Sequence, residues 1–168
     1  MTIHPEQPED VAAIRQVVTA AFGQAAEANL VDKLRTHGKA VISLVAEVDG
    51  QIVGHILFSE VTVETNPCNV KLSGLAPLAV APDRQRRGVG AQLTRTGLAA
   101  CRAAGYDAAF VLGHPEYYPR FGFVPASRFG LTSEYEVRDE VFMALELTEG
   151  GLADVQGLAR YQAEFNEL

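Results

Sequence analysis

Cysteine is scarce in this chain: Cys68 and Cys101 are the only two, with no CxxC pair and no histidine cluster at metal-ligand spacing. Neither a disulfide framework nor a zinc site is expected, no metal is implied, and the two thiols read as free. Long apolar runs are missing too. No stretch approaches the roughly 18 uninterrupted apolar residues of a membrane span, so no membrane partner is expected. The opening residues Met1 to Glu6 have neither a basic nor an apolar stretch behind them, which predicts no signal peptide and a cytoplasmic location. Basic residues are in deficit: 14 Lys and Arg against 21 Asp and Glu give a net charge of -7. That balance argues against nonspecific nucleic-acid binding, which needs cations to neutralise phosphates, and it suits a cationic substrate. There is no internal repeat, no low-complexity stretch and no dividing linker. A single domain over residues 1–168 is expected, with its core over about 2–147 and a tail over 148–168.

What is present is a change of period along the chain. Gln7 to Gly23 has helical spacing, with Pro8 in the first turn, Gly23 as the stop, and Val11, Ile14, Val18 and Phe22 as the expected buried stripe. Ala25 to Arg35 repeats the pattern with Leu30, Val31 and Leu34. Val41–Val48 and Ile52–Val63 are rich in β-branched residues and are joined by Asp49-Gly50, a hairpin signal. Leu72–Val80 reads as a buried strand that Pro82 stops, Val89–Ala104 as a helix closed by Gly105, and Ala108–Leu112 and Val141–Leu147 as strands. At most a short helix is expected over Pro115–Arg120. In the tail, Leu158, Tyr161 and Phe165 share a helical spacing. The order is a mixed α and β one.

The most informative segment is Pro77-Leu78-Ala79-Val80-Ala81-Pro82-Asp83-Arg84-Gln85-Arg86-Arg87-Gly88-Val89-Gly90-Ala91. It sets an arginine-rich loop and two glycines between a buried strand and a helix start. A helix amino terminus leaves backbone N–H groups unpaired and carries a partial positive charge, so it receives phosphate oxygens readily. Gly88 and Gly90 let the backbone approach a bulky anion, although glycines at helix starts also serve packing alone. Screening acts over about 8 Å, so the local charge of Arg84, Arg86 and Arg87 outweighs the acidic whole. The GxxxxGKS/T phosphate loop and the GxGxxG dinucleotide pattern are both absent, which disfavours a nucleotide binder. No flavin or nicotinamide site is visible.

Gln85-Arg86-Arg87-Gly88-Val89-Gly90-Ala91, with Val80-Ala81-Pro82 before it, resembles the Q/R-x-x-G-x-G-A/G coenzyme A signature of the GNAT superfamily of N-acetyltransferases. A second motif, Val111-Leu112-Gly113-His114-Pro115-Glu116-Tyr117-Tyr118-Pro119-Arg120-Phe121-Gly122-Phe123, is similar to that family's fifth strand followed by YxxxGF, with Tyr118 as the tyrosine. Many members carry an asparagine seven residues before it, where this chain has Val111. The doubled tyrosine with ArgPheGlyPhe resembles a subgroup of small bacterial members of unassigned substrate. The resemblance runs from about Thr2 to Leu147. It implies an α/β (α+β mixed-sheet) acyl-CoA N-acyltransferase fold, whose mostly antiparallel central sheet splays between its fourth and fifth strands, here Leu72–Val80 and Ala108–Leu112.

It also implies acetyl-CoA as co-substrate and transfer of the acetyl group to an amine through a tetrahedral intermediate. Leu78, Ala79, Val80, Gln85, Arg86, Arg87, Gly88, Val89, Gly90 and Ala91 would bind it, with backbone N–H groups of Leu78 to Val80 facing the thioester carbonyl. Tyr118 would be the general acid. A thiol near pKa 8.5 and a tyrosine near 10 make that transfer uphill by about 2 kcal/mol before any environmental shift. An amine near pKa 10.4 must lose a proton first, so a base is expected: His114 leads, with Glu60 and His55 behind it, whereas an α-amine near 7.7–8.0 needs one less. The acceptor is a small-molecule or protein amine, and the protein a monomer or homodimer. The rival reading is a non-catalytic acyl-CoA sensor or interaction module that keeps cofactor affinity and releases no thiol.

Overall fold

The computed structural model describes residues 1–168. In chain order the elements are β1 (Thr2–Pro5), α1 (Val11–Phe22), α2 (Ala26–Thr36), β2 (Ala40–Val48), β3 (Gln51–Glu60), β4 (Thr62–Thr65), β5 (Leu72–Val80), α3 (Val89–Ala103), β6 (Ala108–Leu112), β7 (Val124–Pro125), β8 (Leu131–Ser133), β9 (Phe142–Glu146) and β10 (Gln156–Arg160). Short 3-10 turns fill several connections. Strand pairing is mostly antiparallel (β1–β2, β2–β3, β4–β10, β6–β9, β7–β9), with parallel pairs at β5–β6 and β8–β10, in line with the mixed architecture expected. No helix is long and apolar enough to cross a membrane. Two units are distinguished: Met1–Ser59 with Ala76–Gly97 and Ala163–Leu168, and Glu60–Leu75 with Leu98–Gln162.

In the first unit, Pro8 sits in a 3-10 turn where the Gln7 N–H donates to the Asp10 carboxylate (2.8 Å), and α1 follows. Gly23 ends it in the left-handed region at φ 70°, donating to Thr19 O. Its buried face is Ile14, Val17 and Val18, while Phe22, expected inside, is 40% exposed. Eight residues of α-helix turn about 800°, so Phe22 lies some 80° away from Ile14. Asp49 (φ 50°) and Gly50 (φ 77°) form the two-residue turn of the β2–β3 hairpin, in which Val48 pairs with Gln51. β1, which the sequence pattern did not announce, adds antiparallel to β2 from Thr2↔Glu47 to Pro5↔Leu44. On β3 a Cβ at Gly54 would lie 2.9 Å from Leu93 Cδ1 and 3.1 Å from Val89 Cγ1, and on α3 a Cβ at Gly97 would lie 2.5 Å from Phe58 Cε2. The first turns of α3 therefore sit close on the Gly54, Ile56, Phe58 face of β3.

In the second unit, Leu72–Leu75 of β5 pairs in parallel with Ala108–Val111 of β6, and β6 pairs antiparallel with β9. Phe110 and Phe142 stack across that pair, with centroids 5.7 Å apart. The strand expected over Ile52–Val63 is divided: Val61 N–H donates to Leu72 O and β4 begins afresh at Thr62. The tail corrects the helical spacing read there. Gln156–Arg160 is a strand between β4 and β8, in which Gly157 takes φ 102° and Leu158 N–H donates to Glu64. Tyr161 then packs on Gly74, where a Cβ would lie 2.7 Å from its Cε2.

The opposite side of β3 carries a polar chain. His55 is fully buried, and its Nε2 lies 2.8 Å from Ser43 Oγ, which gives its hydrogen to Glu6 Oε1. His55 Nε2 is therefore the donor, leaving the buried Nδ1 without a partner. Arg35 of α2 clamps Glu6 with two bonds, Nε to Oε2 at 2.5 Å and Nη2 to Oε1 at 2.9 Å. Burial alone would raise the Glu6 carboxyl, but hydrogen bonds from Arg35, His55 and Ser43 outweigh it and hold the carboxyl far below its ordinary 4.5. Burial holds His55 below its ordinary 6.5. Both shifts act in one direction: the unfolded chain takes up the His55 proton as pH falls through 6.5 and the Glu6 proton below 4.5, so stability is full above that window and lost on acidification. Scanning calorimetry should show Tm falling steadily from pH 7 to pH 4. Glu6→Gln should weaken the clamp by about 1–2 kcal/mol at pH 7, a loss of roughly 3–6 °C, and flatten the decline on the acid side.

Candidate active site

β5 ends at Val80, where the next residue, Ala81, donates its N–H to Val53 O at 2.8 Å. Pro82 opens a 3-10 turn that Arg84 N–H closes on Ala81 O (2.8 Å), and the Gln85 side-chain amide returns to donate to Val80 O at 3.1 Å. The loop then leaves the strand. Arg86 takes φ 64° and Gly88 φ 85°, both left-handed, and Arg86 is a side chain that region disfavours. The first bond within α3 runs from Gln92 N–H to Gly88 O at 3.0 Å, so the N–H groups of Val89, Gly90 and Ala91 lie ahead of it, as at any helix start. Arg86, Arg87 and Gly88 are exposed, and a Cβ at Gly88 would meet nothing within 4 Å. The Val89 side chain is buried, so that residue offers its backbone alone. Thr94 Oγ1 donates to Gly90 O (2.8 Å) and steadies the first turn. Phosphate-sized anions are favoured here by the helix dipole, equivalent to about half a charge, and by the guanidinium groups.

Leu78 and Val80 are half-buried on β5, and Ala79 between them is buried. The first unit thus brings together every residue expected to hold the co-substrate: Leu78, Ala79, Val80 and Gln85 to Ala91.

The second unit holds Tyr118 and His114. Tyr118 opens a 3-10 turn over Tyr118–Phe121 and is buried, with its ring edge-on to Tyr117 (5.0 Å) and to Phe123 (5.8 Å). Gly113 makes room for it, since a Cβ there would overlap Tyr118 Cε2 and lie 2.8 Å from Cδ2. His114 is exposed, and its carbonyl accepts the N–H groups of Tyr117 (3.0 Å) and Tyr118 (3.3 Å), so its backbone builds the turn while its ring meets solvent. Burial, with a smaller contribution from Tyr117, pushes the Tyr118 phenol up, away from the thiol range rather than toward it. Val111, in the place of the family's asparagine, is a buried residue of β6. The two lesser base candidates are otherwise engaged. His55 is sealed among Ser43 and Glu6, and Glu60 accepts the Tyr106 hydroxyl at 3.0 Å. The Cys101 thiol, buried, is pushed up to about 12, mainly by desolvation, and so is kept from nucleophilic work. Gly54, Gly97 and Gly113 were not singled out from the sequence, where nothing separates a packing glycine from a turn glycine.

The family model described as Acetyltransferase (GNAT) domain matches residues 2–126. A protein named uncharacterized N-acetyltransferase YjhQ, from Escherichia coli strain K12, is 42% identical over 142 residues, which are 83% of this chain and 78% of its own. Another from that strain, named uncharacterized N-acetyltransferase YhbS, is 35% identical over 169 residues, 100% of both chains. The crystal structure of YhbS from Escherichia coli in complex with CoA matches with a TM-score of 0.92 over 98% of this chain and 91% of that one. A GNAT family acetyltransferase from Brucella melitensis, crystallised in complex with acetyl-CoA, is 38% identical with a TM-score of 0.80, covering 98% and 97%.

The overlap at Gly113 generates a direct test of how Tyr118 is held. Gly113→Ala should force the ring out of its pocket at a cost of about 2 kcal/mol, lowering Tm by roughly 4–8 °C and changing the near-ultraviolet circular dichroism of the tyrosines. An unaltered spectrum and Tm would show that the pocket has slack.

Proposed function

Because the chain belongs to the GNAT acetyltransferase family and is an acyltransferase, we propose that it moves the acetyl group of acetyl-CoA to an amine, residues 1–168 acting as one catalytic domain. The observation that carries this reading is the start of α3, where exposed Arg86 and Arg87 and an open Gly88 directly precede the leading N–H groups of the helix. That is chemistry for a pyrophosphate. The relatives crystallised with CoA and acetyl-CoA support it.

In this reading the N–H groups of Val89 to Ala91 and the arginines hold the pyrophosphate, and backbone N–H groups of Leu78 to Val80 take the thioester carbonyl oxygen as it gains charge. His114 accepts the proton that the amine nitrogen loses as the C–N bond forms. As the C–S bond breaks, Tyr118 donates a hydrogen bond to the departing sulfur. Its raised pKa makes full proton delivery costlier, but a thiolate with a pKa near 8.5 departs at neutral pH with a hydrogen bond alone. In this reading transfer is direct, the amine nitrogen attacking the thioester carbon with no acyl-enzyme between. The acceptor is an amine of a small molecule or a protein.

Thermal unfolding with acetyl-CoA at one hundred times Kd should raise stability by about 2.7 kcal/mol, roughly 5–10 °C, with no shift from ATP or NADP. Gly88→Glu should abolish that shift by setting a carboxylate where the pyrophosphate lies; equal shifts from all three ligands would refute the reading. Tyr118→Phe should lower turnover, followed by thiol release, by about 10- to 100-fold while leaving acetyl-CoA affinity unchanged. The Tyr118 phenol is held above its ordinary 10 and stays protonated through neutral and mildly alkaline pH. Turnover should therefore climb as the amine deprotonates and show no falling limb below about pH 10.

A further inference from the structure

The turn that carries Tyr118 has its backbone fixed at both ends. His114 O accepts the N–H groups of Tyr117 and Tyr118, and Gly122, at φ 100°, donates to Pro119 O at 3.0 Å. The Tyr118 ring is bounded by Gly113, by buried Phe123, and by two half-buried rings, Tyr117 at 5.0 Å and Phe121 at 6.3 Å. Arg120, though exposed, is folded back on the nearer of these. Its guanidinium carbon lies 4.5 Å from the Tyr117 ring centroid, and its Nε donates to Tyr117 O at 2.9 Å. We infer that Arg120 is a positioning residue: by bracing the Tyr117 ring it fixes where the Tyr118 phenol points. This rests on the role given to Tyr118 above.

The spacing explains the brace. Residues three apart eclipse in a 3-10 turn, so the side chain at 120 stands over that at 117. A guanidinium is attracted to the face of an aromatic ring, and the bond to Tyr117 O gives the same side chain a second, directional hold. An exposed arginine otherwise samples many rotamers. Held twice, it covers one face of Tyr117 and keeps that ring from swinging out to solvent. Tyr117 in turn meets Tyr118 edge-on, at an interplanar angle of 87°, and also meets Phe121 at 5.3 Å. Arg120 thus acts on the phenol through one intervening ring and needs no contact with co-substrate or amine.

The test needs only coenzyme A, so it is independent of the acceptor. At about pH 9 the free thiol, with a pKa near 8.5, is mostly ionised, while the Tyr118 phenol, held above its ordinary 10, keeps its proton. Isothermal titration of the unaltered protein should then show coenzyme A bound about tenfold more tightly than desulfo-CoA, which lacks the sulfur, as one hydrogen bond to a charged atom would give. Tyr118→Phe should abolish that preference. Arg120→Met and Tyr117→Leu should each cut it about threefold, and neither should lower it further in the Tyr118→Phe background. Tyr117→Phe, which keeps the ring, should leave it unaltered. Acetyl-CoA should bind every variant with the same Kd. Arg120→Met removes no buried group, so it reads the brace even if Tyr117→Leu disturbs packing. A full preference in Arg120→Met, or a preference lost in Tyr117→Phe, would overturn the assignment. So would a weakened acetyl-CoA Kd in Arg120→Met, by showing a direct ligand contact. No preference in the unaltered protein would instead overturn the role of Tyr118, and no binding of coenzyme A or acetyl-CoA the proposed function itself, with this inference falling in either case.

Discussion

Gly54 and Gly97 each omit a methyl group at the point where α3 crosses β3, and the spacing of helix and strand depends on that omission. With Leu93, Val89 and Phe58 filling the space, the helix axis is fixed against a strand buried from Val53 to Ser59. A helix held this way presents its first turn at a set place. Everything else in the first unit serves that placement: the hairpin turn at Asp49-Gly50 orients β3, α2 packs its Leu30, Val31 and Leu34 face inward, and the Glu6–Arg35 clamp joins β1's end to α2. Such rigidity suits the proposed anion site, because N–H groups aimed in advance at a phosphate need no reorganisation when it arrives.

Much of this was legible from residues alone. The strand Leu72–Val80, the helix from Val89 and the strand Ala108–Leu112 stand where hydrophobic spacing put them, because each is bounded by a proline or glycine that leaves the backbone little choice. The loop proposed to hold phosphate was legible for the same reason: its glycines and arginines act locally. Elements defined by distant partners were not. β1 is four residues with a proline, and becomes a strand because β2 offers it an edge. β10 has a helical spacing of apolar residues, yet β4 and β8 supply hydrogen bonds on both its sides, and pairing prevailed over periodicity.

The candidate site divides along that line as well. Residue types nominated the candidates, while only the fold shows in what condition each is held. The Tyr118 ring is enclosed by Tyr117, Phe123 and the gap at Gly113, and that enclosure moves its proton affinity opposite to the direction that would ease its release. His55, attractive as a titratable group beside apolar strand residues, is absorbed into a structural chain ending on Arg35. In both cases burial decides, and burial is a property of the assembled chain.

Arg86 carries a consequence for how sequences of this kind diverge. Its left-handed backbone lies at an exposed position, so glycine or asparagine there would relieve strain and give up one positive charge. Gly88 has less freedom, since a side chain would be strained at its backbone angle although the space around it is empty. Glycine at position 86 would thus exchange charge for backbone ease, whereas a side chain at position 88 would bring strain with no packing gained.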